Sequence, residues 1–342
     1  MNTSTQSYRP NIFHRAAARL EHLAPAWFVL VMGWCGLSQA WLRGTDLFGD
    51  MALGLGLVAG GFAALIFLML CLSCIVRLQL HPHAVEADLK HPVRHAFMAT
   101  LPISMLLLAT LGAALFWHTN EWLDMGLRAL WLTGSLLELA ATVWVLGRWL
   151  GPKEAGGLQW PTFTPVVFIP VVGNVIAPLG GLTLGFGPWA TAQFGIGLLL
   201  WPVLQTMLMV RLVQAGPLPA KLSPSLFITI VPPSIIALCA LQLDAPLTLV
   251  WALWGMGVFF LAWSLTQVSA ILSQAFNLSH WGLSFPLAAF TTLTLRLAGT
   301  PEGAWLNLPA TILLAITSFA ILGLTFGTWR GLRHGSLLVA EA

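Results

Sequence analysis

The stretch HWGLSFPLAAFTTLTLR, residues 280–296, decides how this chain is read. It is apolar, and it carries Pro286 near its start, directly after Phe285. A proline inside a membrane helix removes a backbone hydrogen bond and clashes with the preceding turn, so it persists only where neighbours or a water-lined cavity satisfy the freed carbonyl. The Phe285 ring therefore stands at a weak point of its helix. Four other apolar segments repeat the design: LAPAW around Pro25, TLPIS around Pro102, FIPVVGN around Pro170, and IVPPS around Pro232 and Pro233. Five proline-broken segments of this kind are expected to enclose a path through a membrane.

Composition points the same way. Of 342 residues, 58% are hydrophobic and 8% charged, against about 25% charged in an average soluble domain. The chain reads as an all-α integral membrane protein. Its net charge of +3, from 15 Lys and Arg against 12 Asp and Glu, is spread over loops, so no nucleic-acid partner is expected. The partners expected are the lipid bilayer and small inorganic or organic anions. Cys35, Cys71, Cys74 and Cys239 all fall in apolar segments, where a thiol acts as a small hydrophobe rather than part of a disulfide framework. The first apolar stretch follows basic residues as a signal peptide does, but no small-residue cleavage site comes after it, and it reads as a retained helix.

With about 20 apolar residues needed per crossing, ten transmembrane helices are expected, over residues 25–41, 51–80, 97–117, 123–150, 165–184, 188–212, 224–241, 246–275, 282–298 and 309–332. That leaves an N-terminal tail of residues 1–24, a ten-helix domain of residues 25–332, a C-terminal tail of residues 333–342, and no room for a soluble catalytic domain. Basic residues set the orientation. Arg43, Arg128 and Arg296 fall on one side, and the remainder of the 15, Arg9, Arg15 and Lys153 among them, on the other. The positive-inside rule then places both termini in the cytoplasm, in the inner (plasma) membrane.

The prolines recur in every odd-numbered span, whereas among the even ones only Pro202 interrupts the interior. The intervals shrink along the chain, so this is no fixed-period solenoid. Five helical hairpins around a central pore fit better, with the broken short helix inside and the unbroken long helix facing lipid.

Three stretches carry a family resemblance: HPVRHAFMATLPIS at 91–104, PVVGN at 170–174, and HWGLSFPLAAF at 280–290. Together they resemble the tellurite-resistance and dicarboxylate transporter family, which includes bacterial TehA, fungal malate and sulfite transporters and the slow (S-type) anion channels of plants. The resemblance implies a ten-helix bundle of five hairpins around a pore, commonly a homotrimer of independent pores. It also implies that Phe285 plugs the pore. Leu283 departs from the pattern, since relatives often carry an aromatic there.

The chemistry of the spans agrees. Ionisable groups inside a membrane cost about 2.5–3.5 kcal/mol on insertion scales and mark proton or cation paths. Here the spans hold essentially one, Glu138. A wall of apolar and hydroxyl side chains with broken helix backbone at Pro25, Pro102, Pro170, Pro232 and Pro286 suits anions that pass without tight binding. Glu138 reads either as a proton site or as a polar staple between outer and inner helices, bonded to an amide such as Asn174, Gln193, Gln205 or Gln267. Asn174 itself reads as a cap for broken backbone at the pore wall. His81, His83, His91 and His95 invite a metal reading, but further ligands at defined spacing are missing, and no metal or other cofactor is expected. Gly54, Gly56 and Ala59 mimic a dinucleotide fingerprint without a preceding strand, and Asn277-Leu278-Ser279 is a sequon on the cytoplasmic side.

The sequence thus predicts a non-enzymatic gated anion channel for chloride and nitrate. The alternative is a proton-coupled carrier of dicarboxylates, sulfite or tellurite-related oxyanions working through Glu138.

Overall fold

A computed structural model describes residues 19–152 and 157–339. Arg9, Arg15 and Lys153 of the charge pattern, most of the expected N-terminal tail and residues 340–342 lie outside the described residues. The described residues contain helices and no strand.

In chain order the α-helices are α1 (Val29–Arg43), α2 (Thr45–Leu80), α3 (Pro82–Lys90), α4 (Thr100–Phe116), α5 (Glu121–Trp149), α6 (Ile169–Gly181), α7 (Gly187–Ala215), α8 (Val231–Gln242), α9 (Leu247–Leu265), α10 (Val268–Leu272), α11 (Ser284–Ala298) and α12 (Asn307–His334). Seven helical stretches are long and apolar enough to cross a membrane. The shortfall from ten lies in α1, α6 and α11, of 15, 13 and 15 residues. The expected span 246–275 is divided, because α9 stops at Leu265 and α10 starts anew at Val268. The expected span from residue 51 begins earlier, at Thr45, and bends at Gly49, whose φ of 55° suits glycine.

Local chemistry explains the ends. Asn120 caps α5 by accepting from the Trp122 and Leu123 amides at 2.8 and 3.4 Å, and Glu121 and Asp124 lie in its positive first turn. α12 ends at Gly335 in the left-handed region.

Burial sorts the helices into two sets. Every residue of α6 is buried, and so is every residue of α11 except Arg296. A helix as apolar as α6 belongs in an interior, and the hydroxyls of α11 are satisfied there by bonds to carbonyls and to Thr317. By contrast α2, α7, α9 and α12 expose rows of large apolar side chains, among them Leu68, Leu72, Leu199, Phe259 and Phe319, as lipid-facing helices do. Each short helix packs on the long one that follows it: α1 on α2, α4 on α5, α6 on α7, α8 on α9, and α11 on α12. The five short helices also touch in sequence, α1 to α4, α4 to α6, α6 to α8, α8 to α11, and α11 back to α1, which closes a ring.

Candidate functional site

The ring is built on one local device used five times. Each short helix is preceded by a 3-10 segment: Pro25–Phe28, Arg94–Ala99, Pro165–Phe168, Ala220–Ile230 and Leu278–Leu283. Pro170 and Pro232 are the second residues of α6 and α8, and Pro102 and Pro286 the third residues of α4 and α11. A proline in the first turn gives up an amide that would have bonded the carbonyl four residues back. At Pro170 and Pro232 those carbonyls, of Val166 and Ile228, accept instead from Ile169 and Val231, one residue before each proline. Such i to i+3 bonds are 3-10 geometry, so the prolines set a change of helical pitch rather than a gap. Pro25 differs. It starts its 3-10 segment, and its carbonyl accepts from the Thr100 hydroxyl at 2.8 Å, which ties two neighbouring segments together. Pro178, inside α6, and Pro202, inside α7, lie well past the first turn.

The pitch changes converge. A cavity of about 40 Å³ is lined by Val29, Ile169, Val231 and Ser284, the first residues of four of the five short helices, together with Phe285 and Pro286. Its wall is almost wholly apolar, and its size suits at most a few waters. Phe285 is 4% exposed. Its ring lies over Gly36 of α1, where a Cβ would stand 3.1 Å from Cδ2 of the ring. One turn earlier a Cβ on Gly33 would stand 2.6 Å from Oγ of Ser284. These two glycines give α11 a flat face to press on, and sequence reading missed them. The only local signal was their three-residue spacing in GWCG.

A family model for SLAC1, a voltage-dependent anion channel, matches residues 22–329. The chain belongs to the SLAC1 family. It is a multi-pass membrane protein. It is similar to the S-type anion channel SLAH2 of Arabidopsis thaliana, 25% identical over 76% of this chain and 50% of the relative. The tellurite resistance protein TehA homolog of Haemophilus influenzae is 25% identical over 78% of this chain and 79% of its own length. A protein named for malic acid transport in Schizosaccharomyces pombe is 26% identical over 67% and 55%. The chain thus spans about half of two of these relatives.

In this SLAC1-family chain the second predicted position, Glu138 of α5, is fully buried against α6. Its carboxyl lies where a Cβ on Gly173 would be, so the glycine of PVVGN makes room for it. The predicted amide partner is not there. Asn174 donates through Nδ2 to Thr142 Oγ1 and to the Pro170 carbonyl, both at 2.7 Å. Thr142 in turn donates to the carbonyls of Glu138 and Pro170 at 2.8 and 2.9 Å. Gln193 bonds Ser135, Gln267 bonds Thr266, and the Gln205 amide is itself unpartnered. Both carboxyl oxygens of Glu138, and Oδ1 of Asn174, have no hydrogen-bond partner among the described residues. The staple between α5 and α6 is therefore made by Thr142 and Asn174, with Glu138 beside it.

The histidine-rich segment does structural work. His91 accepts the amides of Val93 and Arg94 on Nδ1, both at 3.1 Å, and its carbonyl accepts from His95 Nδ1 at 2.8 Å. Among the described residues no three His, Cys, Asp or Glu side chains stand together as a metal site. Asn277 of the sequon caps the last 3-10 segment in a reciprocal box with His280. Nearby, α3 is pinned by ions. Asp88 is 2% exposed between Arg77 at 2.7 Å and Arg94 at 3.0 Å, and Arg77 also donates to the Glu21 carbonyl. Arg148, ending α5, donates to the carbonyls of Leu89 and Lys90. On the exposed face of α3, a hydrogen bond from Lys90 holds the Glu86 carboxyl below its ordinary value.

Proposed function

We propose that this chain is a gated anion channel for small monovalent anions such as chloride and nitrate, with Phe285 as the plug. The observation that carries the reading is the seat of Phe285. It sits at the pitch change of α11, buried in a ring of five helices and facing the apolar cavity where four of those helices start. An aromatic ring in an apolar constriction stops hydrated ions until it moves. Membership of the SLAC1 family supports anion transport, and the SLAH2 relative is named as an anion channel.

On this reading residues 25–332 form ten crossings, paired as five hairpins, with Pro25, Pro102, Pro170, Asn174, Pro232 and Pro286 along the pore. The three helices too short by themselves gain reach from their lead-ins, because 3-10 backbone rises about 2.0 Å per residue against 1.5 Å. The 13 residues of α6 with the four before them cover about 28 Å, near the roughly 30 Å of a hydrocarbon core. The channel would lie in the inner (plasma) membrane as a homotrimer, with cytoplasmic tails at residues 1–24 and 333–342.

The test is anion current across a bilayer holding wild type or Phe285→Ala, with chloride and nitrate on opposite sides and no pH gradient. A small wild-type current that rises steeply in the variant supports the plug. Silence from both, with malate uptake driven by a proton gradient, would sink it.

One observation favours the second reading, a proton-coupled acid carrier. A buried carboxyl without a partner is tolerable as the neutral acid and costly as the anion, and Glu138 is such a group. The relative named for malic acid transport fits it. Glu138→Gln separates the two, since it should abolish uptake by a carrier and leave channel current in place.

A further inference from the structure

The helices α1 and α11 lie side by side and run in the same direction, since Gly33 faces Ser284 and Gly36 faces Phe285 and Ala288. Two turns further along both, the register brings Arg43 on α1 next to Arg296 on α11. Each stands in the last turn of its helix, so the register sets two like charges side by side, and like charges at short range repel. The other three short helices, α4, α6 and α8, carry no basic residue in the last turn.

Neither guanidinium makes a hydrogen bond or an ion pair with any described residue. Asp46 attracts Arg43 without pairing with it. Of the other carboxylates near this end of the ring, Asp50, Glu121, Asp244 and Glu302 are exposed and Asp124 lies against His118, and none of them pairs with either arginine. Helix C-termini carry partial negative charge, which explains how two like charges are tolerated there. It leaves five N–H donors on each side chain unused. Two adjacent unpaired guanidiniums at the end of a ring are what an anion arriving from water would meet first.

We propose that Arg43 and Arg296 form an anion-capturing pair at the end of the ring away from the 3-10 lead-ins of the short helices. A small anion resting between them cancels their repulsion and is held at the mouth through which it enters. The proposal rests on the ring being an anion path, and it assigns the outer step of that path.

The test uses the full chain with Arg43→Gln, Arg296→Gln, both together, and the pair of lysine substitutions. Current is measured in the Phe285→Ala background as chloride is raised from about 0.01 M to about 1 M, where screening lengths run from about 30 to 3 Å. Each charge removed should raise the half-saturating chloride concentration about fivefold, the effect of about 1 kcal/mol of Coulomb attraction. The curves should converge at high salt, and the lysine pair should restore wild-type behaviour. Unchanged half-saturation in the double glutamine variant overturns the pair. Chloride NMR line width on the purified protein decides independently of conduction. Broadening lost in the double glutamine variant and regained with lysine supports the site even if Phe285→Ala passes no current, in which case the channel reading alone fails. Broadening that persists in the double glutamine variant refutes the site.

Discussion

The ring of Phe285 rests on Gly36, the one residue type whose side chain leaves it room. A Cβ there would stand 3.1 Å from Cδ2 of the ring and 2.8 Å from Cβ of Ala288. Gly36→Ala must therefore push α1 and α11 apart or move the ring, at a cost of about 1–3 kcal/mol for overpacking. Current through Gly36→Ala should rise towards that of Phe285→Ala, while its denaturation midpoint in detergent falls. A stable Gly36→Ala protein with wild-type current would show that the ring does not depend on this seat.

Phe285→Ala itself should raise chloride current about tenfold or more, the change expected from removing a barrier of about 1.4 kcal/mol. Phe285→Leu keeps an apolar block and should fall between the two. If leucine and alanine conduct alike, bulk at this position is not what limits flow.

Gly173 and Glu138 form a second matched pair. Gly173→Ala places a Cβ onto the Glu138 carboxyl and should lose stability by roughly 1–3 kcal/mol. Glu138→Ala empties that space, so adding it to Gly173→Ala should restore part of the loss. Thermal unfolding of the two single variants and the double variant gives the coupling, expected at about 0.5–3 kcal/mol for residues in contact. Additive losses would mean that the two do not compete for space.

Asp88 lies between Arg77 and Arg94 with almost no exposure. Asp88→Asn leaves two guanidiniums facing a neutral group, and breaking a buried ion pair in this way costs about 3–5 kcal/mol. The expected readout is a large fall in detergent stability. A neutral result would show that α3 is held mainly by the Arg148 contacts to Leu89 and Lys90.

Much of the fold was legible because membrane helices write their length in apolar residues and their special turns in proline. Pro102, Pro170, Pro232 and Pro286 marked the short helices, and the motif around Phe285 marked the candidate gate. Three things could not be read. The prolines were expected to break helices, and instead they stand where the pitch changes, and at Pro170 and Pro232 the carbonyl that would be stranded accepts the amide three residues on. The partner of Asn174 was misjudged as well. A bond between Asn174 and Thr142 joins residues 32 apart on two helices, and no periodicity within either helix records which side chains meet. Gly33, Gly36 and Gly173 matter only for what presses on them, so their role appeared once α1, α5, α6 and α11 were packed together.

The 3-10 segment Ala220–Ile230 runs for 11 residues, where runs beyond three or four are uncommon. Such a stretch is a screw with two available threads. Rewinding it from three residues per turn to 3.6 would draw its ends together by about 5 Å and rotate one against the other by about 220°. Ile228 and Val231, which line the cavity beside Phe285, would travel with it. Such a rewinding would be a stroke as long as one helical turn beside the Phe285 cavity, made by exchanging one set of backbone hydrogen bonds for another.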